Sequence, residues 1–102
     1  MTDSNRAHIL DRVDGERDYQ IQRWGTQDEE YNMPNDFVAF MSHYSTKWLD
    51  GQPAPYTLET LIRFNDSMVK TAAIAVAAAE LSEKIINGEI DRPDMLQGET
   101  ET

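Results

Sequence analysis

The chain has 102 residues, a formal net charge of −10 and no cysteine. A chain of this length forms one domain with a modest core, and domains this small often gain stability by forming oligomers. The negative charge argues against a protein that binds nucleic acid by neutralising phosphates, and the lack of cysteine excludes disulfides, thiolate chemistry and cysteine-based zinc sites.

The termini and the apolar runs give no sign of export or of a membrane anchor. The opening stretch MTDSNRAHIL is polar and mixed in charge, unlike a signal peptide. The longest apolar run, AAIAVAAA at 72–79, is far shorter than a membrane span. We therefore expect a soluble, cytoplasmic protein that does not act at a membrane.

The first predicted helix runs from about Ser4 to Arg23 and can be capped by Asp3 or Ser4. Its residues at helical spacing, which predict the packed stripe, are Ile9, Leu10, Val13, Gln20 and Trp24. The polar stretch GTQDEEYNMPN follows, and its Gly25 and Pro34 predict a loop.

The second predicted helix begins after Pro34, with Asn35 as its N-cap, and ends before DGQPAP, where glycine and proline forbid continuation. Apolar and aromatic side chains recur in it at three- and four-residue spacing and define one face. These residues are Phe37, Phe40, Met41, Tyr44 and Trp48.

The third predicted helix is the longest, from Thr57 to about Asn87, with Gly88 as its stop. Its predicted buried side comprises Leu58, Leu61, Ile62, Asn65, Met68, Val69, Ala72, Val76 and Ala79. The small residues of KTAAIAVAAAEL let helices approach closely, so they predict a tight packing seam, within the chain or between subunits. We expect in particular that Ala72, Ala73, Val76 and Ala79 are buried.

No segment alternates with a period of two, so the sequence predicts an all-α bundle of about three helices with antiparallel neighbours. The apolar surface exceeds what such a short chain can bury, which predicts a homodimer or homotetramer. Residues 1–88 form the predicted helical domain. Residues 89–102 form a predicted acidic, largely disordered tail, which either solubilises the chain or acts as a binding arm.

The opening of the chain, ILDRVDGERDYQIQRWGTQ, resembles that of small MazG-like proteins of the all-α nucleotide pyrophosphohydrolase superfamily, especially those of bacteriophages. The matching residues are Ile9, Leu10, Glu16, Arg17, Gln20, Arg23, Trp24, Gly25 and Gln27. The stretch MVKTAAIAVAAAEL is similar to a later Ala/Val-rich helix of that family. The resemblance covers roughly residues 8 to 84. It implies an all-α fold and, for a phage protein, action in the cytoplasm of the host cell.

The resemblance also implies a chemistry. MazG-like proteins hold Mg²⁺ with a Glu-Glu-x-x-Glu segment and a second acidic pair on a facing helix, and the metal neutralises the triphosphate and helps to activate water. In this chain those positions fall on His43, Tyr44, Lys47, Ser67 and Lys70, with Asp66 beside them. Because an ammonium group repels Mg²⁺, this departure from the family pattern predicts that metal-dependent hydrolysis is lost.

Basic residues of the second and third helices, with one aspartate between them, form a candidate phosphate site instead. His43 and Lys47 lie four residues apart on the second helix. Arg63, Asp66 and Lys70 lie at i, i+3 and i+7 on one face of the third. If the two helices pack antiparallel, these groups converge, and lysine and arginine bind phosphate directly. In the structural alternative the charges face water, and Asp66 and Lys70 form an ordinary ion pair.

The remaining candidates also have two interpretations. Tyr44 and Trp48 either stack on a base or belong to the core, as aromatic side chains usually do. Glu16 and Arg17 are candidates for ligand binding through the resemblance alone, since ordinary helix packing accounts for them equally well.

Three functional hypotheses follow. The favoured one is a protein that binds, and by binding sequesters, a nucleotide or another phosphate-bearing ligand, with no catalytic residue, metal or other cofactor. The second is an active nucleoside triphosphate pyrophosphohydrolase that uses Mg²⁺ and the residual acids Glu16 and Asp66. The third is an acidic interaction protein that docks on a host protein and inhibits it. Cations converging on a cavity favour the first hypothesis, clustered carboxylates the second, and a basic partner the third.

Overall fold

The computed structural model describes residues 2–25, 32–48 and 56–92, without the side chains of Thr2, Asp3 and Lys47. These residues form three helices, α1 (Thr2–Trp24), α2 (Pro34–Lys47) and α3 (Leu58–Ile86), and include no strand. The predicted all-α bundle is confirmed. Within the described ranges, no helix combines the length and the apolar character needed to cross a membrane.

Local signals set most of the helix ends. Thr57 caps α3 by accepting the Thr60 N–H at 3.2 Å, and the Thr60 hydroxyl accepts the Thr57 N–H at 2.8 Å. Gly88 follows α3 with φ +77°, a left-handed conformation that glycine adopts without strain, and its N–H donates to the Ile85 carbonyl at 3.1 Å. The predicted start and stop of the third helix are confirmed.

The start of α2 differs from the prediction. The helix begins at Pro34, so Met33 is the N-cap and Asn35 lies inside the first turn. Proline suits this first position because its missing N–H is not needed there. The Asp36 carboxylate accepts the Met33 N–H at 2.7 Å and so satisfies a donor at the helix start.

The contacts between helices define an up-down-up bundle. Arg12 and Arg17, in that order along α1, bind Asp66 and Glu80, in the same order along α3, so α1 and α3 run parallel. The α2–α3 pair runs antiparallel, because Phe37 lies in one cluster with Leu81 whereas Trp48 lies against Phe64. Both α1 and α2 make their main contacts with α3.

The core consists of two clusters on neighbouring sides of α3. The cluster toward α1 comprises Val13, Val69 and Ala73. The cluster toward α2 comprises Phe37, Ile74, Ala77, Leu81 and Ile85. Burial of this apolar surface is the main force that holds the three helices together.

The buried side of α3 within one chain matches the prediction only in part, since Val69 is buried as predicted but several other members are not. Ala73 is fully buried and Ala72 half-buried, but Val76 (39% exposed) and Ala79 lie at the surface, as do Leu58 (75% exposed), Leu61 and Ile62. The reason is that α3 is apolar on two sides. Helices α1 and α2 cover the side that carries Val69, Ala73, Ala77 and Leu81, and they leave Leu58, Leu61, Val76 and Ala79 uncovered within one chain.

The folded unit extends beyond the predicted domain boundary at residue 88. Ile90 packs against the cluster around Phe37, and Arg92 is buried and donates from Nη1 to the Asn32 carbonyl at 3.3 Å. Residues 89–92 therefore belong to the domain rather than to a disordered tail. The rest of the predicted tail, residues 93–102, lies outside the described residues.

Candidate functional site

A pocket of about 460 Å³ lies where all three helices meet. Its walls come from α1, α2 and the segment before α2, and its floor comes from α3. The lining residues are Gln20, Trp24, Asn32, Phe37, Phe40, His43, Tyr44, Ile74 and Ala77. We call it the three-helix pocket.

Helical spacing brings these side chains together. Gln20 and Trp24 are four residues apart on α1, and Ile74 and Ala77 are three apart on α3, so each pair shares one face of its helix. Because α1 and α2 both pack against α3, the small side chain of Ala77 leaves space between α1 and α2. The pocket is thus a product of how the helices pack.

Aromatic rings make up most of the pocket wall. Trp24 and Phe40 are about half exposed there, while Phe37 is buried at the edge of the core. The His43 and Tyr44 rings meet edge to face, with centroids 5.3 Å apart and an interplanar angle of 79°. Such walls favour a flat, apolar-faced ligand.

Two amides supply polar groups without partners. Gln20 is only 5% exposed, and neither its side-chain amide nor that of Asn32 hydrogen-bonds to another group of the chain, as far as the described residues go. No fully buried polar side-chain atom in that part of the chain lacks a partner. The Gln20 amide therefore keeps some surface that solvent or a ligand can contact, and this surface faces the pocket that Gln20 lines.

A lysine lies next to the pocket floor. Lys70 precedes Ile74 by four residues and Ala77 by seven, so it lies on the same side of α3, roughly 6 Å along the helix axis from Ile74. It is exposed and forms no ion pair with a described residue. Arg63, seven residues earlier, lies on that same side and is also exposed. On α1, the half-buried Glu16 lies one turn before Gln20.

Asp66 has a different partner from the one considered above. Its carboxylate accepts from the Arg12 guanidinium of α1 at 2.8 Å, and Arg12 also donates to the Asn65 side chain. The structural alternative of an Asp66–Lys70 pair is therefore wrong. Since Asp66 does not line the three-helix pocket, its role in the described structure is to hold α1 against α3.

Arg17 and Trp48 also lie away from the pocket. The buried Arg17 guanidinium donates from Nε to the Glu80 carboxylate at 2.7 Å, which links α1 to α3. The Trp48 ring lies 5.9 Å from Tyr56 and 5.1 Å from Phe64, measured between centroids. These contacts place Trp48 in an aromatic group at the N-terminal end of α3.

Of the predicted site residues, the structure therefore brings His43 and Tyr44 into the pocket and Lys70 beside it. Glu16, Arg17, Trp48, Arg63 and Asp66 do not line it, and the Lys47 side chain lies outside the described set. The prediction missed the pocket residues Gln20, Trp24, Asn32, Phe37, Phe40, Ile74 and Ala77. One signal was present: Gln20 is a polar residue on the packed stripe of α1.

The residues that the structure describes do not fit a Mg²⁺ site. Mg²⁺ needs several oxygen ligands in octahedral geometry. Across the described ranges, no group of three or more histidine, cysteine, aspartate or glutamate residues could hold a metal ion.

Comparisons with known proteins do not assign the chain to a family. No protein-family model matches it, and searches of curated proteins and of solved structures found no significant match.

Proposed function

We propose that the chain binds a nucleotide without metal-dependent hydrolysis, with the base in the three-helix pocket and the phosphates toward Lys70. The observation that carries this proposal is a pocket with aromatic walls and unpartnered amides, whose floor continues along α3 to a lysine without an ion pair. In this proposal the chain is a MazG-like protein of phage type that sequesters its ligand in the host cytoplasm.

The size and lining of the pocket support a base. A volume of about 460 Å³ lies in the range of small-ligand sites, which are mostly apolar with a few placed polar groups. The Trp24, Phe40 and Tyr44 rings offer apolar faces, and the Gln20 and Asn32 amides offer donors and acceptors.

The cations support a phosphate at the Lys70 end. Because α2 runs antiparallel to α3, the position four residues after His43 on α2, that of Lys47, lies toward the same end as Lys70. Lysine ammonium groups bind phosphate as point charges. We expect these groups to hold the ligand phosphates without a metal.

The carboxylates support binding rather than hydrolysis. Asp66, the acid that the pyrophosphohydrolase hypothesis needs, is neutralised by Arg12 and lies outside the pocket. His43 and Tyr44 line the pocket where the resemblance implies glutamates.

Lys70→Ala should weaken nucleotide binding roughly tenfold to a hundredfold, because a hydrogen bond to a charged group contributes about 1.5–3 kcal/mol. Calorimetric titration measures the dissociation constant. Arg6→Ala, which removes the same charge from an exposed position near the start of α1, is the matched control and should leave binding unchanged. EDTA should not weaken binding.

Glu16→Gln separates binding from hydrolysis. Glu16 lies one turn before Gln20 on α1. If the phosphates extend toward that turn, removing its negative charge should strengthen nucleotide binding. If Glu16 instead holds Mg²⁺, the same variant loses activity. Mg²⁺-dependent pyrophosphate release that disappears in Glu16→Gln and Asp66→Asn would replace our proposal with the enzyme hypothesis. If no nucleotide binds at all, the acidic surface is the functional one.

We further propose that the chain forms a homodimer through the uncovered side of α3. Residues at spacings of three, four or seven form this side: Leu58, Leu61, Met68, Ala72, Val76, Ala79 and Ile86. Ala79 also lines a groove of about 250 Å³ between α2 and α3. An apolar stripe with small residues at its middle can pack against a second copy of itself.

Light scattering should therefore give a mass of at least twice the chain mass of 11.7 kDa. Ala79→Glu, which places a charge in the proposed interface, should lower the mass to that of one chain. Ala39→Glu adds the same charge to the exposed face of α2 and should not change the mass. A monomeric wild-type chain at micromolar concentration would contradict this proposal.

A further inference from the structure

We infer that Gln20 is the residue by which the three-helix pocket recognises a nucleobase, through hydrogen bonds from its side-chain amide to the edge of the ring. The inference rests on the proposed function and adds the part of the ligand that is recognised and the residue that recognises it.

Gln20 holds an unusual place for a polar side chain. The side chain is 5% exposed, and its amide bonds to no described group. No fully buried polar side-chain atom of the described residues lacks a partner, so the amide keeps some accessible surface, and Gln20 lines the three-helix pocket. Its donors and acceptors are therefore available to a ligand in that pocket.

The chemistry of the Gln20 amide matches the edge of a nucleobase. Its carbonyl accepts hydrogen bonds while its NH₂ group donates them, so it matches a ring edge that carries a donor next to an acceptor. Nucleobases carry such edges, and glutamine amides pair with them in a bidentate manner. A sugar phosphate or a bare polyphosphate has no such edge.

The geometry of the pocket places aromatic rings and the Gln20 amide in one cavity. The Trp24, Phe40 and Tyr44 rings and the Gln20 amide line the same cavity, so a flat ring can contact apolar faces while its edge meets the amide. Asn32, on the wall before α2, places a second unpartnered amide in the same cavity. Lys70 lies beyond the floor, on the side where a phosphate chain can extend.

The experiment compares Gln20→Met with Gln22→Met in calorimetric titrations and thermal unfolding. Methionine keeps the length of glutamine without its amide, and Gln22 lies on the exposed side of α1, so its variant is a matched control. The probes are the common ribo- and deoxyribonucleoside triphosphates and inorganic tripolyphosphate, which has no base.

We expect Gln20→Met to weaken binding of the preferred nucleotide roughly tenfold to a hundredfold, the range of one bidentate amide–base pair. Tripolyphosphate should bind the wild type weakly, and equally weakly in the variant. The melting temperature of the ligand-free variant should not fall, because methionine keeps the length of the side chain. Gln22→Met should change none of these quantities.

Two results would overturn the inference. If nucleotides and tripolyphosphate bind equally well and Gln20→Met changes neither, the phosphate part of the proposed function stands and base recognition by Gln20 fails. If Gln20→Met lowers both the melting temperature and the affinity, Gln20 is a structural residue. Absence of all nucleotide binding in the wild type is a different outcome, because it removes the proposed function itself.

Discussion

Phe37→Ala should lower the free energy of unfolding by about 3–5 kcal/mol, the typical cost of deleting a buried phenyl ring. Phe37 is 4% exposed and packs with Ile74, Ala77, Leu81 and Ile85. Its truncation removes the contacts of the phenyl ring with these apolar residues of α3 and leaves a cavity. A domain of this size has a total stability of about 5–15 kcal/mol, so the loss is a large fraction of the whole.

Phe40→Ala is the matched control, since it makes the same truncation three residues later on the same helix. Phe40 is 47% exposed and lines the three-helix pocket, so we expect a much smaller loss of stability and a loss of nucleotide binding. Urea unfolding followed by circular dichroism gives the stabilities, and titration gives the affinities. Equal destabilisation by the two variants would mean that Phe37 is not central to the core.

Glu80→Ala should lower the free energy of unfolding by about 1–3 kcal/mol, because it removes a carboxylate from a buried guanidinium. Arg17 and Glu80 join α1 to α3 through a hydrogen bond of 2.7 Å, and the Arg17 side chain is buried. The Glu80 side chain is half exposed, so water weakens the attraction and the loss stays below that for a fully buried pair. Glu83→Ala removes an exposed carboxylate one turn later and should cost little.

Arg17→Met removes the other partner of the Arg17–Glu80 ion pair. It removes the charge but keeps an apolar side chain in the same space, so the variant has no buried guanidinium that needs hydrogen-bond partners. We expect Arg17→Met to cost less than Glu80→Ala. Urea unfolding of both variants decides the matter, and the reverse order would show that packing of the Arg17 stem outweighs the ion pair.

The two ends of α3 were predictable from the sequence because they depend on neighbouring residues. Thr57 sets the start of α3 and Gly88 sets its end, each through hydrogen bonds to a residue three positions away. Such local patterns can be read from one chain. The buried side of α3 depends on where two other helices lie. Val69 and Val76 are equally apolar, and only the positions of α1 and α2 leave the first buried and the second exposed.

The same distinction applies to the site. His43 and Tyr44 were found as candidates because the resemblance placed a motif on them, and both line the pocket. Asp66 and Trp48 were chosen for their chemistry, but each is held by a contact between elements that helical spacing does not encode. Gln20 was identified as part of a stripe and of the resemblance but not as a site residue, because its unpartnered amide becomes visible only once α1 lies on α3.

The order in which the helices leave the ribosome matters for a bundle in which α1 and α2 both depend on α3. The two helices made first have their main contacts with α3, which is made after them. Until α3 has emerged, their apolar faces lack their main partner, and short helices on their own are marginal in water. Folding of the bundle must therefore wait until α3 has emerged, and the nascent chain is exposed to proteases and chaperones until that point.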